Sequence, residues 1–454
     1  GKSALAANTS GAQNTAVGGN AADAVTTGSN NTALGYEAAG KLTTGTDNVA
    51  VGRAALLDTT TQSGNVAVGV EALENNTADD NAAVGKHSLR ANTTGSNNVG
   101  VGRDALLANT TASNNTAVGK SSLGANTTGA NNVAVGSLAL DANTTANKNT
   151  AIGQAALSGN TTGASNTSVG QGSLQNNTTA SNNTAVGVDA LGANTTASSN
   201  TAVGTSSLTS NTTGNQNTAV GATALDAVTT GGQNTALGAN AGSAATTGDG
   251  GTYIGYNAGA SVTTAGLNTV VGSYAFDAAT TATQSVAIGY AALSENTTAA
   301  SNTAVGYAGL SLNTTGSENT AVGALALDAN TTGSNNEAFG YASLSANTTG
   351  SNNTGLGTVA LLNNTEGAYN TGVGRSALTS NTTANFNTGV GYLALGANTT
   401  GTKNTAVGAL SLDATTTGSN NTSIGEQSLT TNTTGGNNTA VGTGALALNT
   451  TASD

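Results

Sequence analysis

The chain reads as an all-β protein, a parallel β-solenoid (β-roll) built from 17-residue coils. Three observations predict this. A glycine recurs at Gly1, Gly18, Gly35, Gly52 and Gly69, and after one short step returns at every seventeenth residue from Gly85 to Gly442. Each copy follows one frame, G-x-x-A-L-x-x-N-T-T-G-x-x-N-T-A-V, as in Gly119 to Val135. Within that frame a Leu and a Val hold fixed places, which a flexible low-complexity linker has no reason to do. Repetition at a constant short period is the mark of stacked units that bury their apolar faces on one another. No linker, charge block or composition shift interrupts it, so residues 1–454 read as a single continuous repeat domain.

Positions are counted from the glycine of each copy. Position 17 is apolar throughout, for example Val17, Leu34, Val118, Ile152, Val305 and Phe339. Position 15 is mostly Thr or Val and position 16 is small, as in Ala16, Gly100 and Ser168. Period-two alternation over a β-branched run predicts a strand with positions 15 and 17 on one face and 16 on the other. The apolar side chains of position 17 are expected to point inward. Position 5 is mostly Leu, including Leu56, Leu191 and Leu327, preceded by Ala or Ser. A second short inward-facing strand is expected there, with the glycine at the bend between the two.

Position 8 is usually Asn but becomes Val25, Leu42, Val228 or Val262 in some copies. A place that takes either predicts an inward side chain, with stacked Asn amides bonding from coil to coil. Charges gather at positions 2 and 3, 6 and 7, and 12 and 13, such as Lys2, Asp141 and Lys148, and mark outward bends. The copy from Gly69 to Val84 is one residue short, with a single Thr77 where others have two. That loss is expected in a turn, since inside a strand it would invert every later side chain. The window from about 221 to 289 is irregular. Gly242, Gly259 and Phe276 replace Leu, and Tyr253 occupies a small position. Drift with compensating core changes explains it, with a local widening or partner site as the alternative.

One copy buries about one Leu and one Val, roughly 1.5–3 kcal/mol each, against about 1–2 kcal/mol per residue of backbone ordering. A lone copy cannot fold. At about 4.8 Å per coil, 27 glycine starts from Gly1 to Gly442 predict a rod roughly 130 Å long.

Composition removes several function classes. Charged residues make up only 7% of the chain and the net charge is -12, which opposes nucleic-acid binding. With Cys 0, disulfides and thiolate metal sites are excluded. No apolar run reaches the roughly 18 residues of a membrane helix, and no signal peptide opens the chain. Gly1 is already a repeat glycine and Asp454 stops partway through a copy, so the simplest expectation is a piece of a longer repetitive protein.

Candidate chemistry is sparse. His87 is the only histidine and reads as an outward turn residue rather than a catalytic one. Gly119-Lys120-Ser121 carries only the tail of a phosphate-loop pattern. Asp is too sparse for calcium-binding nonapeptides. No catalytic, cofactor or metal site is expected. Asn-x-Thr recurs at position 8, as in Asn126-Thr127-Thr128, where a turn ladder explains it. A second family, such as Asn182-Asn183-Thr184, fits a glycan acceptor better. Adjacent threonines such as Thr127 and Thr128 should diverge, which weakens an ice-binding reading that wants Thr-x-Thr on one face. Tyr256, Tyr290, Tyr307, Tyr341 and Tyr392 share position 2 and are a candidate contact stripe for glycan or protein surfaces.

At the run N-T-A-V-G-x-x-A-L the chain resembles the head repeats of trimeric autotransporter adhesins, as in Asn183 to Leu191 and Ser285 to Leu293. It is also similar to arrays in bacterial and phage proteins described as tail-fibre-like. The resemblance spans the whole chain through a short motif. It implies a left-handed roll, three chains side by side, and an adhesive head or shaft on a bacterial cell surface. The period of 17 departs from the family, whose usual head repeat is a few residues shorter, and the neck, stalk and anchor are absent from the sequence. The small residues of position 16 agree with a homotrimer, since they would allow close approach between chains. The expected role is a passive extracellular fibre, structural or adhesive. The alternatives are a subunit of a self-assembling filament, by lateral or axial contact, and an ice-binding solenoid.

Overall fold

The computed structural model describes residues 1–453. Among them the regular elements are 26 strands of three residues each, with no helix. The chain divides into two compact units, Gly1–Thr230 and Gly231–Asp454. The first holds β1 (Thr15–Val17) to β13 (Thr218–Val220), and the second β14 (Thr235–Leu237) to β26 (Thr439–Val441). Within each unit every strand pairs in parallel with the strand of the next coil, Thr on Thr and Val on Val, as in Thr184↔Thr201 and Val186↔Val203. The protein is a parallel β-solenoid of roughly 17-residue coils.

The strand alternates as its sequence predicts, but the inward face is the other one. Position 16 is buried, with Ala33, Ala50, Ala117 and Ala304 at 0–1% exposure. Positions 15 and 17 face out, and Val17 is 55% exposed. Val118 and Val305 are half-exposed, so the expectation that Val17, Val118 and Val305 line the core is corrected. The reason is the narrowness of the coil. A Cβ built on Gly355 would lie 3.3 Å from the Leu344 side chain of the same coil, and one on Gly372 3.2 Å from Leu361. Leu at position 5 spans the interior and leaves a methyl's width opposite. Leu56, Leu191 and Leu327 are fully buried, as expected.

The second expected strand is absent. Leu56, Leu191 and Leu327 sit in turns with φ of 54°, 52° and 52°. Position 3 is left-handed too, as at Ala54 and Asp104, and so is position 13, as at Asn114 and Lys148. Three such residues per coil fold 17 residues into a loop with one short strand. The left-handed region costs non-glycine residues free energy, and burial of the whole Leu side chain offsets it. Glycine is obligatory only at position 1. Gly52 has φ 134°, and a Cβ there would meet the carbonyl oxygen of Gly69 at 2.4 Å. The glycine column is a line of close backbone approach between successive coils.

Two asparagine ladders fill the rest of the interior. At position 8, where consecutive coils carry Asn, the amide nitrogen donates to the side-chain oxygen of the previous coil, as Asn143 to Asn126 (2.8 Å) and Asn160 to Asn143 (3.0 Å). The same nitrogen donates to the carbonyl three residues on, Asn143 to Ala146. Where Val25, Leu42, Val228 or Val262 stands there instead, it is equally buried. Position 14 forms the second ladder, which the sequence reading did not assign. The Asn132 backbone N–H donates to the Asn115 side-chain oxygen (2.9 Å), while the Asn115 amide donates to the Gly129 carbonyl (2.9 Å). Where the ladders run unbroken, the side-chain oxygens and nitrogens of these buried amides are thus matched along the stack.

Breaks in the position 8 ladder leave visible orphans. The side-chain oxygens of Asn211 and Asn398 have no partner, and the next coil carries Val228 or Thr415 in place of the donor. The one-residue deficit falls at Thr77, outside the strands, and β4 (Val66–Val68) still pairs with β5 (Ala82–Val84) in register. In the second unit Tyr253 points inward at position 16 and is 1% exposed. A Cβ on Gly259 would meet its ring at 2.4 Å, and one on Gly251 its hydroxyl at 2.5 Å. One tyrosine therefore fills the space that a Leu and an Asn fill elsewhere, and the missing side chains are its compensation. Burial pushes its hydroxyl up to about 12, against the opposing pull of a hydrogen bond with Asn268.

Two stability predictions follow from these contacts. Thr415→Asn should close the ladder between Asn398 and Asn432 and raise stability by about 1 kcal/mol, read as a higher midpoint in thermal or denaturant unfolding. Gly259→Leu alone should overpack the core by about 1–3 kcal/mol, and Tyr253→Ala alone should open a cavity costing about 3–5 kcal/mol. The double variant should lose less than the sum, and additive losses would contradict the compensation.

Candidate functional site

Tyrosines and charged side chains decorate the outer bends, and two clusters of them span several coils. The first lies in the second unit. Tyr256, Tyr290 and Tyr307 stand at position 2, directly after the strand glycine, and are exposed. Tyr274, at position 3 of the coil between Tyr256 and Tyr290, joins them. Its ring lies 5.4 Å from Tyr256 and 6.0 Å from Tyr290, edge-on to both. Tyr290 and Tyr307 stack at 5.6 Å with an interplanar angle of 9°. Four rings from four successive coils therefore form one continuous strip. Crowding by its surroundings, followed by the neighbouring Tyr256, Tyr290 and Asp277, holds the Tyr274 hydroxyl above the ordinary phenol range.

The sequence-predicted stripe is only partly assembled. Tyr341 and Tyr392 are exposed at position 2 but lie in coils away from the other rings. Tyr274 was outside the predicted set because it departs from the column by one place; its spacing of 16 residues before Tyr290 is the signal that could have found it. Tyr36 holds position 2 in the first unit. A separate pair, Tyr369 and Phe386, stacks at 5.1 Å on position 13 of adjacent coils.

The second cluster surrounds the short coil of the first unit. His87, half-buried at an outer bend, places Nε2 3.2 Å from Glu71 and Nδ1 3.1 Å from Asp104, in the coils before and after it. Donation to both carboxylates requires the imidazolium. Arg53 pairs with Glu71, and Arg90 bonds Glu74 at 2.6 Å. Arg103 bonds Asp104 at 2.8 Å. Burial pushes the Glu71 carboxyl up, but Arg53, Arg90 and His87 together outweigh it and hold the group below its usual range. Asp104 behaves likewise under Arg103 and His87. Elsewhere the carboxyls of Asp141, Asp226, Asp277 and Asp328 at position 6 are raised, chiefly by burial.

Other surface features carry less. Lys2 and Lys148 are exposed and Asp141 is half-buried. Open hollows lie at the bends lined by Leu267 and Gln284, and by Leu138 and Gln154. No cluster of three or more metal-ligating side chains fit to hold a metal ion occurs among the described residues. No helix among them is long and apolar enough to cross a membrane. The position 8 asparagines are buried with their amides engaged, whereas Asn182, in its own Asn-x-Thr triplet, is exposed. The chain matches no protein-family model and no curated protein.

The ion pairs set a pH dependence. A carboxyl held low contributes stability above its unfolded value, about 4, and that contribution is lost as pH falls through the lower folded value. The raised position 6 aspartates act in the opposite sense: acid relieves them. Acidification should therefore loosen the coils from Gly69 to Val118 before those from Gly153 to Val220, which carry neither these ion pairs nor a position 6 aspartate. Hydrogen exchange, corrected for intrinsic rates, should show this order, and uniform loosening would contradict it.

Proposed function

We propose that this chain is a non-catalytic structural and adhesive segment of an extracellular fibre, borne on a bacterial surface as in the adhesins it resembles. What carries the reading is the division of labour between the faces of the coil. The inward groups repeat closely and serve only to hold the neighbouring coil. The outward strand face is uncharged in coil after coil, apart from Glu337, and its position 17 column is apolar throughout. An exposed apolar column along a parallel sheet suits association with further copies of the chain. The inward position 16 cannot mediate such contact, so this face replaces it as the proposed interface of a homotrimer or filament. The tyrosine strip is the proposed contact for glycan or protein surfaces, weak per ring and strengthened by repetition.

Ice binding is a second reading, favoured by one observation. The position 9 hydroxyls are used internally, as Thr127 to the Thr144 carbonyl. Those of Thr371, Thr388, Thr405, Thr422 and Thr439 point outward in register beside Val373, Val390, Val407, Ile424 and Val441. That is a regular hydroxyl and methyl array on one face, a Thr-x-Val analogue of Thr-x-Thr.

One experiment separates these readings. Replacing Val373, Val390 and Val407 by Asp should reduce association in sedimentation or light scattering while circular dichroism stays unchanged. Replacing Tyr256, Tyr290, Tyr307, Tyr341 and Tyr392 by Ser should reduce attachment to glycan-coated or cell surfaces without altering association. A native chain that stays monomeric at micromolar concentration and shapes ice crystals would replace the fibre reading with the second.

A further inference from the structure

The tyrosine strip has a chemical property independent of any adhesive role. The chain contains Cys 0, Met 0 and Trp 0, so it lacks the thiols, thioethers and indoles that oxidants ordinarily attack. It cannot fasten one coil to the next through sulfur. Phenols are its readily oxidised side chains, and four of them touch in sequence along the strip. All four are exposed, so an oxidant can reach them. Exposed side chains reorient on the ps–ns timescale, so the contacting rings can bring their rim carbons together. The remaining tyrosines provide contrast: Tyr253 is buried, Tyr36, Tyr341 and Tyr392 have no ring partner, and Tyr369 stacks on Phe386, which has no phenol.

We infer that Tyr256, Tyr274, Tyr290 and Tyr307 form an oxidative cross-linking site, at which peroxide acting through a haem peroxidase joins neighbouring coils by dityrosine bonds. Each of two tyrosines gives up one electron and one proton and becomes a phenoxyl radical. The radicals couple at the carbons ortho to oxygen, forming one carbon–carbon bond. Each ortho carbon then loses its proton, the ring regains aromaticity, and the phenol oxygen is reprotonated. Hydrogen peroxide takes up the two electrons and two protons and leaves as two waters. The product is lighter by two hydrogens and ties the side chains of one coil covalently to those of the next without sulfur.

The test treats the full chain, at high dilution, with a haem peroxidase and hydrogen peroxide. Cleavage at acidic residues separates Tyr290 from its partners, because Asp277 lies between Tyr274 and Tyr290 and Glu295 between Tyr290 and Tyr307, while Tyr256 and Tyr274 stay on one peptide. Mass spectrometry should find intrachain pairs joining the Tyr274 peptide to the Tyr290 peptide and the Tyr290 peptide to the Tyr307 peptide. Tyr290→Phe should abolish both, leaving only the dityrosine fluorescence of the Tyr256–Tyr274 pair. Phe386→Tyr should create a new link to Tyr369, a gain that loss of folding cannot mimic. Links found only between chains, or an intrachain yield unchanged by Tyr290→Phe, would overturn the inference.

Discussion

A buried amide is tolerable only when its donors and acceptors are matched, and this fold is organised around that requirement. The interior of a coil is too narrow for a conventional hydrophobic core. It admits one Leu, one methyl opposite it, and two asparagines. Those asparagines bond forward and backward along the stack, so no coil satisfies its own interior. The exceptions obey the same rule. An unmatched oxygen appears at Asn211 and at Asn398, where the next coil offers Val228 or Thr415 instead of an amide, and at Asn432, where the amide of Asn449 in the last coil turns to Asn438 and Ala452. Cooperativity follows directly: removing one coil leaves two neighbours with open valences, in addition to the shared apolar surface.

Much of this was legible in the sequence, and the part that was not has a specific cause. The period, the strand at positions 15 to 17, the buried Leu and the position 8 ladder all follow from residue identity at fixed spacing. The inward face does not. Alternation states that Ala16 and Val17 point opposite ways, and the larger apolar residue is the natural choice for a core. Here the width of the coil reverses that choice, because Leu56 and its equivalents already fill the space. The same Leu residues hid their backbone conformation. A β-branched or large apolar residue is a poor candidate for positive φ, so an apparent strand at position 5 was in fact a left-handed turn. The position 14 ladder is masked in the sequence because Asn beside the bend at positions 12 and 13 looks like turn composition.

The candidate sites were less legible, since they arise from departures between copies. Tyr274 belongs to the strip only because coils stack closely enough for position 3 of one to touch position 2 of its neighbours. His87 meets Glu71 and Asp104 because the three share position 3 in consecutive coils. Such adjacency can be read once the period is known, by writing the copies beneath one another and looking down columns and their immediate diagonals. Exact column identity alone, which selects Tyr341 and Tyr392, brings together residues of the same kind that never meet.

Variation is also partitioned by what each position can transmit. A change at an outer bend affects a few neighbours, so charge and aromaticity can be placed there coil by coil. A change inside must be answered in adjacent coils, as Gly251 and Gly259 answer Tyr253. Position 17 fits neither pattern. It faces outward, where bends of the same coil accept Lys, Asp or Tyr freely, yet it stays apolar in every strand from Val17 to Val441. Nothing within the coil demands this, because the Leu and Ala of the interior are buried without it. In-register pairing of successive strands, as Val186 on Val203, favours β-branched side chains along this column, and the same face is the one proposed above for association with further copies. The proposed interface thus lies on a strand face that is uncharged apart from Glu337. The bends, where copies differ most, are then left free for chemistry that need occur only once.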